Sequence, residues 1–390
     1  MIERAFDLSF GPDGPIAARL GADDLSFTYD ARAGEVRTCP GGDVLGEDPF
    51  AVLDGLLDGD PDTVWVGWFG YAANPDLPAR PAGHGVPDAM WMRTHLPRPR
   101  SLAPQSRSPA RESRSIARAV RQGPPPRWYL DGFTEVQRRL RAGDSYEVNL
   151  TMRSEIRSAL DPSHAYEQLC AVAPGAPYAG LVRHGDTWLL SASPETYARI
   201  DGRSLLTRPI KGTTPRSGDL AQDRAAAQRL AAEPRFRAEN LMIADLARND
   251  VGRVSEVGSV EVPELMVVEP HAAVHQLVTT VRGRIRPEVT TVQALRALFP
   301  AGSMTGAPKQ RTMEIIEAVE GSPRGVYAGA YGWVSGDGRA DLAVVIRSLV
   351  RTPAGPWLLG TGGGITVHSD PVSEWEEAAV KVGRLAAILG

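Results

Sequence analysis

Lysine is almost missing from this chain. Of 43 basic residues only Lys211, Lys309 and Lys381 are lysines, and the rest are arginines. Arginine has taken nearly every place where a solvated positive charge suffices. A position that stays lysine is therefore a candidate for chemistry that a guanidinium cannot do, because a lysine can shed its proton and act as nucleophile or base. Chance and packing account for any single lysine equally well. Cysteine is scarcer still: Cys39 and Cys170 are too few, and too far apart in sequence, for a disulfide framework, which fits a reducing cytoplasm. No apolar run reaches the roughly 20 residues that span a bilayer. The first residues, Met1 to Asp7, include acids and lack a charged-then-apolar layout, so neither a membrane nor secretion is expected. A net charge of −4 offers no positive excess for nucleic acid or a membrane surface.

What is present is ordinary for a globular protein. The 390 residues, 42% hydrophobic and 23% charged, can bury a large core, and the length alone admits two or three domains. Residues 1–100 read as short strands and one helix, which starts near Asp48 with Pro49 in its first turn. Val64–Tyr71 is a β-rich run interrupted by glycines. Between Pro97 and Arg127 the composition turns to Pro, Ser, Arg and Gln, so residues 101–127 are expected to form a flexible surface connection. The region 128–390 follows as the larger unit. A helical pattern covers Trp128–Gly143, strands are expected near 146–152 and 178–200, and Pro234 separates two helical segments, Asp219–Ala232 and Arg235–Arg248. The pattern is α+β with mostly antiparallel strands, not regular βαβ units.

The last helix has the clearest signals. Asp370 can cap it, Pro371 suits its first turn, and Val372, Trp375, Ala379, Val382 and Leu385 are spaced as an apolar stripe. Glu374, Glu377 and Lys381 share another face. From spacing alone, that face is either a solvated surface or part of a site. Ahead of it, Gly362, Gly363 and Gly364 lie in a glycine run whose backbone N–H groups are free to meet an anion. The run does not match the dinucleotide fingerprint. Glu239 stands at the start of another helical pattern, where it is either a helix-dipole partner or, with Glu374 and Glu377, part of a hard-oxygen site suited to Mg²⁺. Glu195 ends a strand-like run beside Pro194. Lys211, in Arg208-Pro-Ile-Lys-Gly-Thr-Thr-Pro-Arg216, reads as a lysine in a partly apolar turn, where a lowered pKa would free its amine. Pro300–Lys309 supplies hydroxyls and glycines just before a helix. Arg347 lies in a strand-like run, where burial would demand an anionic partner.

Several motifs in fixed order carry a family resemblance: Asp144-Ser-Tyr-Glu-Val-Asn149, Ser193-Pro-Glu195, Pro209-Ile-Lys-Gly-Thr213, Glu239 through Asp250, Gly302 through Lys309, and Gly362 through Lys381. Together they resemble the chorismate-utilising enzymes, over 128–390 strongly and over 1–100 weakly. The resemblance implies an α+β body of two large antiparallel sheets packed face to face, with helices outside. Lysine at 211, where anthranilate synthases carry alanine, implies the branch that aminates chorismate at C4. In that branch Lys211 would add to C2 of chorismate and Glu195 would protonate the departing hydroxyl. The resemblance further assigns Mg²⁺ to Glu239, Glu374 and Glu377. It assigns substrate binding to Ser303, Tyr327, Arg347, Lys381, Thr213 and the Gly362–Gly364 amides. Glu147 stands where isochorismate synthases have a water-activating lysine, which implies a role with incoming ammonium. Two further departures are Phe236, where relatives are often acidic, and Gln276, where pyruvate-eliminating relatives have histidine. Neither cysteine sits in a glutaminase nucleophile turn, which implies ammonia from a separate glutaminase subunit. The alternatives are a 2-amino-2-deoxyisochorismate or anthranilate synthase component, and a catalytically silent binding or regulatory subunit.

Overall fold

The computed structural model describes residues 3–11, 14–21, 24–95 and 123–390. Of the expected connection at 101–127, residues 101–122 lie outside the described residues, and a helix begins at Arg127.

Two antiparallel sheets form the body. The eight-stranded sheet runs in the order Gly306–Ala307, Glu147–Ile156, Trp357–Ile365, Ser348–Arg351, Thr187–Ser193, Tyr178–His184, Arg4–Leu8, Ile16–Arg19. The twelve-stranded sheet begins at Ile210–Pro215 and continues through Val274–Arg284, Ser204–Arg208, Thr196–Asp201, Ala340–Val344 and Ala330–Ser335. It then passes Thr63–Phe69, Ala89–His95, Ser26–Asp30, Glu35–Cys39 and Val44–Gly46, with Glu261–Pro270 paired to Val274–Arg284. Residues before 96 enter both sheets, since Arg4–Leu8 pairs with Tyr178–His184 and Thr63–Phe69 with Ala330–Ser335.

Strand parity explains how the sheets stack. Every residue of Thr63–Phe69 is buried. Val64, Val66 and Trp68 turn toward Leu8, Val182, Leu189 and Val350 of the other sheet, whereas Trp65 and Phe69 pack outward on Phe50, Leu53, Leu295 and Phe299. A strand apolar on both faces is covered on both faces. The outer face of the eight-stranded sheet is covered by helices Arg127–Arg141, Pro162–Val172, Lys309–Val319 and Pro371–Ala386. The expected sheets, and helices outside them, are thus present.

The helix starts follow their local chemistry. Asp48, Asp161 and Asp370 each accept backbone N–H bonds ahead of a proline in the first turn. Pro234 likewise opens Pro234–Gly252 and ends its predecessor. In the last helix the apolar stripe differs from the expected one. Trp375, Ala378, Val382, Leu385 and Ala386 are buried, whereas Val372 is 46% exposed. The first turn of that helix faces a charged cluster instead of the core, so only Glu374 is buried there. No helix among the described residues is long and apolar enough to cross a membrane.

Candidate active site

The chain crosses from one sheet to the other twice beside the same charged cluster, and each crossing carries an expected site residue. Glu195 lies between Thr187–Ser193 of the first sheet and Thr196–Asp201 of the second. Arg347 lies between Ala340–Val344 of the second and Ser348–Arg351 of the first. Backbone bonds tie the crossings together: the Val344 N–H donates to the Glu195 carbonyl at 3.1 Å, and the Ala192 N–H to the Arg347 carbonyl at 3.2 Å. Arg347 has φ +51°, a left-handed conformation costly for a side chain with a Cβ and one that the surroundings must hold. It sits in a bend, not in the strand expected for it. Burial and the nearby Arg384 hold its guanidinium below the ordinary range, with Glu195 opposing them.

Glu195 is buried, and its Oε1 accepts a 2.5 Å hydrogen bond from Ser303 Oγ. Burial lifts its carboxyl to about 7, against the pull of Ser303, Lys211 and Arg347. A carboxylic acid still protonated near neutrality can give that proton away. Ser303 comes from a short turn, Gly302–Met304, that leads into Gly306–Ala307. That strand pairs with Val148 and Glu147. Ser145 Oγ, bonded to the Glu147 and Ala307 carbonyls and to Thr312 Oγ1, clamps the same corner. A cavity of about 20 Å³ lies behind Glu195 and Ser303, bounded by Ile243, Ala247 and Asp250, enough for a single water.

Lys211 lies on Ile210–Pro215, the edge strand of the second sheet, and Glu147 on Glu147–Ile156 of the first. Lys211 Nζ donates to Glu147 Oε1. Glu147 is buried, and among the described residues its Oε2 has no hydrogen-bond partner. Burial pushes the Glu147 carboxyl up, and Lys211 only partly draws it back. Burial alone would push the Lys211 ammonium down, but Glu147 in contact, with Glu239 and Glu195 beyond, holds it above its ordinary range. The lowered pKa expected for a lysine in an apolar turn is therefore corrected: the residue is on a strand and faces carboxylates. Asn240 ties this strand to its neighbour Val274–Arg284: its Nδ2 donates to the Lys211 carbonyl at 3.5 Å and to the Leu277 carbonyl at 3.1 Å, while its Oδ1 accepts from Thr279.

Gly362–Gly364 form the end of strand Trp357–Ile365, paired on one side with Thr151, Leu150 and Asn149, while on the other side the neighbouring strand pairs only as far as Leu359. The smallness of Gly363 and Gly364 makes the floor of the site. A Cβ on Gly364 would overlap Glu147 Oε1 and come within 2.7 Å of Lys211 Nζ, and one on Gly363 would stand 3.2 Å from Glu374 Oε2. Gly360 does the same for Tyr327, whose ring fills the place of its missing side chain. Tyr327 is buried, and burial pushes its phenol up to about 12.

The three expected metal-binding acids are near one another but already hold cations. Glu239 and Glu374 both contact Arg235, at 2.9 and 2.7 Å, and Glu377 contacts Lys381 at 2.8 Å. Lys381 Nζ also donates to the Gly362 carbonyl at 3.2 Å. In this arrangement no group of three or more His, Cys, Asp or Glu among the described residues is set to hold a metal. The donor chemistry fits a hard divalent ion nonetheless: Glu239 and Glu374 reach the same guanidinium, Glu377 adds to its field, and Glu374 is buried with its carboxyl held up by burial despite Ser369 and Arg235. Phe236, in the place of the expected acid, packs 3.3 Å from where a Gly212 side chain would begin. Thr213 is exposed on the edge strand, and Gln276 is buried opposite it in register.

Lys309 turns out to be structural. Its ammonium is buried between Asp250, at 2.8 Å, and the Leu298 carbonyl, at 2.6 Å. Sequence reasoning missed Arg235, four residues ahead of Glu239, and Asn240, although Asn240 lies inside one of the motifs. The signal for Arg235 was only its position one turn ahead of an acid, which is common on helix surfaces.

The family model for chorismate binding enzymes matches residues 50–387. An aminodeoxychorismate synthase of Streptomyces griseus is 47% identical over 262 residues, 67% of this chain and 36% of that protein. Aminodeoxychorismate synthase component 1 of Escherichia coli strain K12 is 43% identical over 257 residues, 66% of this chain and 56% of that protein. The chain thus spans about a third to just over half of the length of these relatives. Among solved structures, anthranilate synthase component I from Streptococcus pneumoniae TIGR4 superposes with a TM-score of 0.76 at 25% identity, covering 98% of this chain and 92% of its own. The menaquinone-specific isochorismate synthase from Escherichia coli shares the fold, with a TM-score of 0.66 at 16% identity over 95% of this chain and 89% of its own.

Proposed function

Because the chain belongs to the chorismate-binding enzymes, we propose that it aminates chorismate at C4, using ammonia, to give 4-amino-4-deoxychorismate. The observation that carries this reading is the contact of Lys211 Nζ with Glu147, within the electrostatic reach of Glu195. An ammonium in contact with a buried carboxylate has an acceptor for its proton at hand, and a carboxyl lifted to about 7 stands near it as a donor.

The roles follow from that pairing. Glu147 takes the proton of Lys211, and the free amine adds to C2 of the ring. The C1–C2 and C5–C6 double bonds shift to C1–C6 and C4–C5, and the C4–O bond breaks. Glu195 gives its proton to the leaving hydroxyl, which departs as water. Ammonia then adds at C4, the double bonds shift back, and Lys211 leaves C2 as the amine and regains its proton from Glu147. Glu195 is reprotonated from solvent. Arg347, Ser303, Tyr327 and the floor made by Gly363 and Gly364 orient the substrate. With carboxylates at both ends of chorismate, Arg347 is the group suited to the enolpyruvyl carboxylate, since burial strengthens its charge pairing. Glu239, Glu374 and Glu377 would hold Mg²⁺, which when bound supplies positive charge against the ring carboxylate.

The Escherichia coli relative is named a component 1, which supports ammonia arriving from a separate glutaminase subunit. The second reading, a 2-amino product or anthranilate, draws on halobacterial anthranilate synthase relatives at 40% identity, but lysine at 211 and glutamine at 276 favour the first. The test is incubation of the purified chain with chorismate, Mg²⁺ and ammonium, with products identified by mass and proton NMR, beside Lys211→Ala. A 4-amino product that keeps its enolpyruvyl group, lost in the variant, is the expected result. A 2-amino product or anthranilate would overturn the C4 reading.

A further inference from the structure

Arg235 makes two carboxylate contacts at once. From the first turn of helix Pro234–Gly252 its Nε meets Glu239 Oε1 at 2.9 Å, one turn along the same helix. Its NH2 group meets Glu374 Oε1 at 2.7 Å, across the gap to the last helix. Glu374 is nearly inaccessible, with only 4% of its side chain exposed, whereas Arg235 is 50% exposed. The guanidinium thus approaches from the solvent side and spans the two helices that carry the acids. Glu377 contributes to the same field, since it stabilises the Arg235 charge along with Glu239 and Glu374. Three carboxylates on two helices repel one another, and without a shared cation burial of Glu374 would be unfavourable.

We infer that Arg235 is a positioning residue, an internal cation that holds the acidic cluster together in the metal-free protein and swings out to solvent when Mg²⁺ binds. The inference rests on the metal reading of Glu239, Glu374 and Glu377. Glu239 Oε1 and Glu374 Oε1 already serve the guanidinium, so divalent binding to these acids is an exchange of cations and not a simple addition. The half-exposed, flexible arm makes the exchange feasible, since Arg235 has solvent to move into and regains its hydration there. Arg235 also sets the affinity: a divalent ion must compete with its two contacts, beside the one that Lys381 makes to Glu377. Half-exposed ion pairs of this kind together bias an equilibrium roughly three- to tenfold.

The test is Mn²⁺ binding, read as loss of the free-ion EPR signal, with Mg²⁺ measured by displacement. It is run on the full chain, on Arg235→Ala and on Arg235→Lys, and metal-free melting temperatures are recorded in parallel. The alanine variant is expected to bind Mn²⁺ roughly three- to tenfold tighter than the parent. Its metal-free melting temperature should be lower, and its rise on adding Mg²⁺ larger. Lysine keeps the charge without the planar fork and should fall between. Equal or weaker binding by a folded alanine variant overturns the exchange and leaves the metal site standing. If the alanine variant does not fold, a lysine variant binding no tighter than the parent overturns it equally. Binding of Mn²⁺ by none of the three proteins overturns the metal reading, and the exchange with it.

Discussion

Glu195→Gln should make the protein more stable at pH 8 than its parent while abolishing turnover. The reason lies in the carboxyl that burial lifts from 4.5 to about 7. Below pH 4.5 the group is protonated in both the folded and the unfolded chain and contributes nothing to their difference. Between 4.5 and 7 the unfolded chain releases its proton and the folded one keeps it. Stability therefore falls as pH rises, and the loss is complete above 7. A lift of this size corresponds to about 3 kcal/mol. Glutamine cannot ionise, keeps an oxygen to accept from Ser303 Oγ, and fills the same space, so the variant escapes this loss. The assay is urea unfolding of both proteins at pH 4.5, 6 and 8, comparing their stabilities at each pH so that all other titrating groups cancel. The difference should swing by about 3 kcal/mol in favour of glutamine between pH 4.5 and 8. A difference independent of pH, or one that favours the parent at pH 8, would refute both the neutral carboxyl and its role as acid.

Gly364→Ala should cost activity by a factor on the order of 100 or more with the fold retained, because its methyl overlaps Glu147 Oε1 and forces Lys211 and Glu147 apart. Ammonia-dependent turnover and circular dichroism would check it, and near-parental rates would show that the floor is not needed. Lys309→Met should lower stability by about 3–5 kcal/mol, because it strands the buried Asp250 carboxylate. Denaturant unfolding measures that, and a loss below about 1 kcal/mol would contradict the buried pair.

The parts of the structure legible in the sequence are the ones set by neighbours in the chain. Asp48, Asp161 and Asp370 ahead of prolines, and Pro234 between two helices, act within a turn. The family motifs named the residues that meet in the site, but not why each is there. Gly364 reads as a donor of free backbone N–H and serves as clearance for two side chains that come from 64 positions apart. Lys211 reads as a lysine with a depressed pKa until its partner is known, because a pKa depends on what the fold brings near. Lys309 shows the limit of the lysine-scarcity argument: a compact ammonium fits between one carboxylate and one carbonyl, and rarity of a residue type does not separate packing from catalysis. Arg235 was invisible because its second contact lies 139 positions away.

Lys211 and Glu147 are mounted on different sheets, and the layer of Val64, Val66, Trp68, Val182, Leu189 and Tyr331 between those sheets fixes how far apart the mounts stand. A close-packed layer transmits volume changes instead of absorbing them. Enlarging or shrinking a side chain in that layer would therefore move one reacting group relative to the other without touching either. Drift in the interior of this protein is thus constrained by the chemistry at its edge, and variants selected only for a tighter core are expected to drift in rate.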